Sequence, residues 1–468
     1  MSRDVSYGDF VQAVRRYRPS NLLPFLAGHS ARCERESVDS SKWFPWAISL
    51  IAKESVLQGN EFRNAEIDDS GLKMLVDLVG ASSDVTPKQS PASLLTPILY
   101  EQFPYQESLF EEMARTHALL VHNEPGQAAI PWEELLGVGL DQAVRASQVL
   151  HAWVVHNLGR LDPNILDMPH FQQVYERIAP RSEIEATATL LIATIADLKQ
   201  ARADANARTQ VRRELERYAF NPLKAQPLVN LEGRGIWAPQ SMLVPRALLG
   251  SNLYYRGLAQ WGKRFADSLG DRTQQYVGRQ LKLLDGITLH PEVEYAKAQR
   301  SVDWLWVSGS AVILVECKAA RLTLDAQAGG DSLGDVMQRY LGAARTQLDR
   351  TAKLIREGHP AFDHIPKDRP LIGMVTTAEP FYLAGTPFSG FASSGDVPAV
   401  TLSLRDLEFL VGQREVDAAK LVIDHAHPGG EGGRFVATFD EEAMRRRNPI
   451  LEEAWRHYDF LIPDGPDA

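Results

Sequence analysis

Three charged side chains border two apolar runs in the stretch SVDWLWVSGSAVILVECKA, which covers residues 301–319. They are Asp303, Glu316 and Lys318. Two carboxylates can share a divalent cation, and a neighbouring lysine can orient a water molecule and offset charge on a phosphate group. These residue types at this spacing indicate metal-assisted chemistry on a phosphate ester.

A β-hairpin is the element that would bring these residues together. The apolar runs flank a Ser-Gly pair, residues 308–309, which predicts a two-residue loop and places Asp303 opposite Leu314. Because side chains alternate between the faces of a strand, Glu316 and Lys318 share a face with Asp303. Asp303 and Glu316 are then diagonal neighbours, about 7–8 Å apart between Cα atoms. If the loop were one residue longer, the side chains of one strand would move to the other face of the sheet, and this arrangement would be lost.

Apolar side chains occupy both faces of the predicted hairpin, a pattern typical of interior strands that are covered on both sides. One face carries Trp304, Trp306, Ile313 and Val315, and the other carries Leu305, Val307, Val312 and Leu314. Buried charges at the end of such strands need partners. A divalent cation and a phosphate would supply them, and oxygen ligands favour Mg²⁺ or Mn²⁺.

Alternating helix and strand patterns surround the hairpin and predict a mixed α/β core. Helices are expected at 258–284 and 333–356, and strands at 293–295, 302–307, 311–317, 371–376 and 400–404. Before them, roughly the first 220 residues have helical periodicity, with an amphipathic helix at 136–158 and a long helix at 182–218. The charged second half of the long helix is typical of a solvated face or of a connector that binds a partner.

At the hairpin the sequence resembles the PD-(D/E)XK nuclease superfamily. Asp303 stands where the family has its first metal-binding aspartate, and Glu316-Cys317-Lys318 matches the (D/E)XK element. The resemblance implies a restriction-endonuclease-like α/β domain. It also implies that Asp303, Glu316 and the backbone carbonyl of Cys317 hold Mg²⁺, with Mn²⁺ as an alternative, and that Lys318 positions the attacking water.

The resemblance also nominates three accessory residues. Many branches carry a glutamate on the helix before the sheet, and here Gln274 stands at that position. A glutamine can still bind a metal or a water through its carbonyl, and Glu294 on the preceding strand is a candidate substitute. Gln347 lies on the helix after the motif, where several branches place a glutamine near the substrate.

The resemblance covers residues 265–377. Together with the changes of pattern along the chain, it divides the sequence into four expected segments. We expect a helical region at 1–220 for sensing, assembly or partner binding, and a connecting segment at 221–260, where proline and glycine begin to punctuate short extended pieces. The nuclease-like domain is expected at 261–425, and a C-terminal tail with a helix at 426–468.

Composition restricts the partners and the setting. The formal net charge is −10, from 50 Lys and Arg against 60 Asp and Glu, which argues against coating nucleic acid by bulk charge and predicts weak non-specific affinity. Two cysteines exclude a disulfide framework and a Cys-rich zinc module. With no secretory signal and no long apolar run, we expect a cytoplasmic protein without a membrane partner.

The sequence thus predicts a metal-dependent phosphodiesterase, specifically an endodeoxyribonuclease, and the resemblance adds a role in phage defence. Two alternatives stay open. One is a catalytically silent nucleic-acid-binding module, which Gln274 favours. The other is a protein-interaction scaffold in which the helical region forms a homo-oligomer or binds another protein.

Overall fold

The structure is a computed structural model that describes residues 5–36, 44–82, 90–169, 172, 175, 177–208, 213–319, 321–384, 395–426 and 447–461. It has a mixed α/β architecture, with helices dominating the first half and sheets concentrated in the second. The expected α/β class is therefore confirmed. Within the described ranges, every helix is too short or too polar to cross a membrane.

Eight α-helices precede the first strand in the described part of the chain. They are α1 Tyr7–Val14, α2 Pro19–Arg35, α3 Pro45–Gln58, α4 Asp69–Ala81, α5 Pro91–Gln102, α6 Leu109–Thr116, α7 Glu133–Leu136 and α8 Leu140–His156. Several begin at a side-chain cap, as at Ser6, Asp68, Ser90 and Ser108, which satisfies a free backbone N–H of the first turn. Helices α1 to α4 supply most of a second apolar core, to which later residues such as Leu198, Val229 and Leu243 also contribute.

The predicted helix at 136–158 corresponds to α8, which starts later than expected. Gly137 has a φ of 77° and ends α7, a left-handed conformation that favours glycine. The apolar spacing continues across this break, and Leu136 and Leu140 both enter the same core. Periodicity alone therefore does not reveal that two helices are present.

A small sheet interrupts the helical first half. Its strands are β1 Arg160–Leu161, β2 Ile192–Thr194, β3 Leu228–Asn230 and β4 Ile236–Trp237, in the order β1-β4-β3-β2. The prediction of one helix at 182–218 is wrong, because α9 Arg181–Leu191 ends where β2 pairs with β3 in parallel, and α10 Ile195–Arg208 begins after it. The first 220 residues are consequently not wholly helical.

A five-stranded sheet forms the centre of the second half. Its strands are β5 Thr288–Pro291, β8 Trp304–Val307, β9 Val312–Lys318, β10 Leu371–Thr377 and β11 Ala399–Ser403, in the order β11-β10-β9-β8-β5. β5, β8 and β9 run antiparallel, whereas β9, β10 and β11 run parallel. A separate hairpin, β6 Glu294–Ala296 and β7 Gln299–Arg300, projects between β5 and β8.

Helices cover both faces of this sheet. The remaining helices are α11 Leu243–Arg246, α12 Gly250–Leu281, α13 Leu324–Gln327, α14 Ser332–Met337, α15 Ala343–Glu357, α16 Leu404–Leu410, α17 Glu415–Ala426 and α18 Pro449–Trp455. α12 packs with Trp306, Ile313 and Val315, and α15 packs with Leu305, Val312 and Leu314. The predicted division of the hairpin into two apolar faces is therefore confirmed.

The two predicted helices of this region differ from expectation only in detail. α12 begins before residue 258 and contains a non-helical residue, Gly262, with a φ of 55°. A π-helical turn, Gln338–Gly342, joins α14 to α15, so that the chain stays helical through the predicted 333–356 segment.

The hairpin register differs from the predicted one by two residues. Trp304 pairs with Val315 and Leu305 pairs with Leu314, so the predicted pairing of Asp303 with Leu314 is wrong. The turn lies one residue further along, closed by a hydrogen bond of 2.9 Å from the Ser308 N–H to the Ala311 carbonyl. A shift of two preserves which side chains share a face, because that alternation has a period of two.

The largest apolar core extends across the predicted segment limits. It includes side chains from Met113 in α6 to Tyr458 near the end of the described chain. β1 and β2 also pair with strands that follow residue 221. Of the predicted tail at 426–468, residues 427–446 and 462–468 lie outside the described residues, while α18 and the buried Tyr458 pack against the core.

Candidate active site

Three carboxylates align in one row across three neighbouring strands. Extending the observed pairs at Trp304 by one residue places Glu292 after β5, Asp303 before β8 and Glu316 within β9 side by side. Asp303 and Glu316 are thus directly opposite rather than diagonal. The row continues the face on which Leu314 packs against α15.

Hydrogen bonds join the predicted site residues into one cluster. The backbone N–H of Cys317 donates to Asp303 Oδ2 over 2.6 Å. The Lys318 ammonium donates to Glu316 Oε1 over 2.5 Å, forming an ion pair within the strand. Asp303, Glu316 and Lys318 are therefore brought together at one end of the sheet.

The backbone of β9 also orients the Cys317 carbonyl. The Ala378 N–H donates to the Lys318 carbonyl over 3.0 Å, so the peptide groups of Lys318 face β10. Backbone groups of successive residues in a strand point to opposite sides. The Cys317 carbonyl therefore points toward β8, the side on which Asp303 lies.

Burial raises the pKa values of both carboxylates. Glu316 is only 5% exposed, and burial, followed by the negative charge of Asp303, raises its pKa from 4.5 to about 7 although Lys318 opposes the shift. Burial likewise raises the pKa of Asp303, against the Cys317 N–H and the Lys318 charge. Both side chains resist ionisation unless further positive charge is nearby.

The oxygen atoms of Asp303, Glu316 and Cys317 are of the kinds that a divalent cation requires. Glu316 Oε2 is buried and accepts no hydrogen bond within the described residues, which is a cost that a bound cation would remove. Carboxylate and backbone carbonyl oxygens are the ligands that Mg²⁺ uses. As placed, however, the described chain contains no group of three His, Cys, Asp or Glu side chains that could hold a metal ion.

Glu292 is the site residue that sequence reasoning missed. It contributes negative charge that raises the pKa values of Asp303 and Glu316, and it forms an ion pair of 2.9 Å with Arg300. Its strand, β5, is short, contains a proline and is half exposed, so its sequence pattern is weak. Pairing of β5 with β8 is the signal that identifies Glu292.

The three accessory candidates lie around the row but do not join it. Glu294 is exposed and accepts a hydrogen bond of 3.4 Å from Ala298 in the β6–β7 hairpin. Gln347 donates to the carbonyls of Arg300 and Ser301, over 2.9 and 2.7 Å, and so holds the chain that enters β8.

Gln274 contacts the site through its backbone. Its carbonyl accepts a hydrogen bond of 2.9 Å from the Trp304 indole N–H. Within the described ranges, no hydrogen bond joins its side chain to the carboxylate row. Gln274 therefore anchors α12 beside the start of β8, next to Asp303.

Cys317 contacts Asp303 through its backbone N–H, and its thiol is not a candidate nucleophile. Its side chain packs against the core on the α12 side of the sheet, and its thiol is also within hydrogen-bonding reach of the Asp303 carboxylate. Burial raises the pKa of this thiol well above its usual range, so it stays protonated and is a poor nucleophile.

Comparisons with known proteins add no assignment. No family model matches the chain, and no match was found among the curated proteins or the solved structures.

Proposed function

We propose that the protein is a metal-dependent phosphodiesterase that cuts DNA internally. The observation that carries this proposal is the pair of opposite carboxylates, the half-buried Asp303 and the buried Glu316, with Lys318 on the same face. Two acidic groups with raised pKa values beside a lysine are typical of a functional site, since they destabilise a fold that does not use them.

Each residue has a distinct role in the proposed reaction. Asp303, Glu316 and the Cys317 carbonyl would hold Mg²⁺, or Mn²⁺ in its place. The bound cation supplies positive charge that polarises the phosphate and neutralises charge developing on it. Lys318 orients the attacking water and offsets the same charge, and its contact with Glu316 keeps the ammonium at the row.

A restriction-endonuclease-like domain is part of this proposal. It is supported by α12 before the hairpin, by the antiparallel β5-β8-β9 unit, and by the parallel strand β10 beside β9. Defence against phage in the cytoplasm is the cellular role that the resemblance suggests. The net charge of −10 favours a substrate that is engaged at a focused groove or through a partner.

Cleavage of supercoiled plasmid in the presence of Mg²⁺, Mn²⁺ or EDTA tests the proposal. Wild type should cut with either metal and not with EDTA. Glu316→Ala and Lys318→Ala should lose cutting while retaining their fold by circular dichroism. Glu294→Ala is the matched control, because this carboxylate is exposed and lies outside the row. Undiminished cutting by the Glu316 and Lys318 variants would overturn the site assignment.

A catalytically silent nucleic-acid-binding module is the second candidate. Gln274 in place of a glutamate and the internal ion pair between Lys318 and Glu316 favour it. This candidate predicts that wild type retards DNA in a salt-sensitive manner but does not cut it with any metal. An interaction scaffold would neither cut nor retard DNA.

A further inference from the structure

A cavity of about 250 Å³ lies between the helical first half of the chain and the large sheet. Ala378 and Ser403, at the carboxyl ends of β10 and β11, form one wall. Helices α3, α5 and α6 also contribute lining residues. The carboxyl ends of parallel strands are where open α/β sheets commonly bind ligands. The volume is too small for a nucleic-acid duplex, so the cavity is distinct from a substrate groove.

Cations outnumber anions among the side chains that line this cavity. Seven Lys and Arg residues face four glutamates, and the lining residues concerned are Lys53, Arg115, Arg217, Lys224, Arg246, Arg321 and Arg405 against Glu101, Glu107, Glu112 and Glu379. Part of this charge is neutralised by ion pairs, such as Arg217 with Glu101 and Arg246 with Glu112, both at 2.9 Å. The other arginines and Lys53 are paired as well, some with glutamates outside the lining, so Lys224 is the one lining cation without an ion pair within the described residues.

Two cationic groups retain unused hydrogen-bond donors. The ammonium of Lys224 forms no ion pair or hydrogen bond with any described residue, although the side chain is partly buried. Burial lowers the pKa of this ammonium although the charges of Glu101 and Glu379 oppose the shift, and a bound anion would oppose it further. Arg405 uses its Nε to contact Glu111 over 3.3 Å, and its two terminal nitrogens have no hydrogen bond within the described chain.

Aromatic side chains supply much of the remaining lining. Trp46, Tyr100 and Tyr255 contribute flat surfaces to the same cavity that the cations line. Rings of this kind pack against planar ligand groups, and cationic donors bind phosphate oxygens. The combination fits an organic anion that has both a planar ring and a phosphate.

We propose that this cavity binds a small phosphorylated ligand with an aromatic ring, of the chemical class of a nucleoside monophosphate. Lys224 and Arg405 contact the phosphate, and the aromatic side chains contact the ring. The cavity also borders the catalytic edge of the sheet, because Arg321 in its wall follows Lys318 by three residues. The binding site does not depend on the proposed nuclease activity.

Isothermal titration of the full chain with AMP, adenosine and inorganic phosphate tests this proposal. AMP should bind saturably, and adenosine and phosphate should each bind at least about ten-fold more weakly, which corresponds to about 1.4 kcal/mol. Lys224→Met should weaken AMP binding by a similar factor while keeping the apolar stem of the side chain. Lys353→Met is the matched control, because its ammonium is exposed on α15 and should leave AMP binding unchanged.

A second variant keeps the test decisive if Lys224→Met does not fold. Arg405→Gln should also weaken AMP binding, and thermal unfolding of each variant verifies its fold. The proposal is overturned if wild type gives no saturable signal with AMP, or if both variants bind AMP as tightly as wild type. Equal affinity for inorganic phosphate and AMP would contradict the role of the aromatic wall.

Discussion

Glu316 combines deep burial, a neighbouring carboxylate and an ion pair with Lys318 in one side chain. Burial costs a neutral carboxyl group much less than a carboxylate, so the protein holds a proton there to unusually high pH. A bound cation would replace that proton. The protonation state of Glu316 therefore links stability, metal binding and the proposed chemistry.

Stability without metal should fall as pH rises through the range from 4.5 to about 7. In that range the unfolded chain has released the Glu316 proton while the folded chain still holds it, so rising pH favours unfolding. Glu316→Gln should remove this dependence. The free energy of unfolding of the variant, relative to that of wild type, should therefore be about 1–3 kcal/mol higher above pH 7 than at pH 5. Urea unfolding in EDTA at both pH values measures it. A difference between the two proteins that does not vary with pH would contradict this expectation.

The charge of Glu292 should influence the pKa values of Asp303 and Glu316, although Glu292 does not take over the role of either residue. Its negative charge raises the pKa values of Asp303 and Glu316, so Glu292→Gln should shift the rising limb of the pH–rate profile of cleavage to lower pH. Glu294→Gln is the control, since it lies on the exposed β6–β7 hairpin and should leave the profile unchanged. Identical profiles for wild type and Glu292→Gln would show that Glu292 does not influence the row.

At the residue scale, the sequence was sufficient for the residues whose position depends on strand alternation. Asp303, Glu316 and Lys318 share a face in the predicted register and in the observed one, because the two registers differ by an even number of residues. Glu292 was not predictable in this way. Its strand gives almost no pattern of its own, and only its pairing with β8 places Glu292 beside Asp303.

The contact between α12 and β8 positions the site at the scale of elements. Gly278 of α12 lies directly over the Trp304 ring, and the Trp304 indole bonds to the Gln274 carbonyl one turn earlier. Trp304 follows Asp303 in the chain. The packing of one helix turn against one indole therefore sets where β8 begins.

A methyl group at Gly278 should disturb this packing. A Cβ there would overlap the Trp304 ring, so Gly278→Ala should destabilise the fold by about 1–3 kcal/mol. Gly270→Ala lies on the same helix with open space around it, and should stabilise by about 0.5–1 kcal/mol through helix propensity. Chemical denaturation measures the free energy of unfolding of both variants. If both substitutions stabilised the protein, the close approach of α12 to Trp304 would be refuted.

Elements with strong patterns were predictable, whereas short ones were not. The buried strands near 312–318 and 371–377 have long β-branched and apolar runs that are visible in the sequence. β2 consists of three residues between two helical patterns, and its strand conformation depends on pairing with β3, over thirty residues later. A strand that forms only by pairing with a distant segment cannot be recognised from the local sequence pattern.

At the scale of the whole molecule, buried polar contacts connect the helical first half to the sheet. Arg115 in α6 donates two hydrogen bonds to Glu408 in α16, over 2.7 and 2.6 Å. The Tyr276 hydroxyl in α12 donates to the same carboxylate over 2.7 Å. This cluster adds to the apolar core that extends from α6 to the C-terminal residues. The predicted segments at 1–220 and 261–425 are therefore in direct contact.

Removing one partner of this cluster should be costly. Arg115→Met would leave the Glu408 carboxylate buried without its cation and should destabilise the protein by about 3–5 kcal/mol. Arg181→Met removes an exposed ion pair with Asp167 and should leave the free energy of unfolding nearly unchanged. The free energy of unfolding in urea distinguishes them. Equal small losses would mean that Arg115 does not couple the two halves.

The dependence of plasmid cleavage on Mg²⁺ concentration tests the central claim most directly. The row of Asp303 and Glu316 predicts a rate for wild type that rises and saturates with Mg²⁺, and rates at least about a hundred-fold lower for Asp303→Asn and Glu316→Gln. Glu294→Gln should retain the wild-type curve. Cleavage that persists in both row variants with the same Mg²⁺ dependence, or a wild type that does not cut at any Mg²⁺ concentration, would contradict the proposed nuclease.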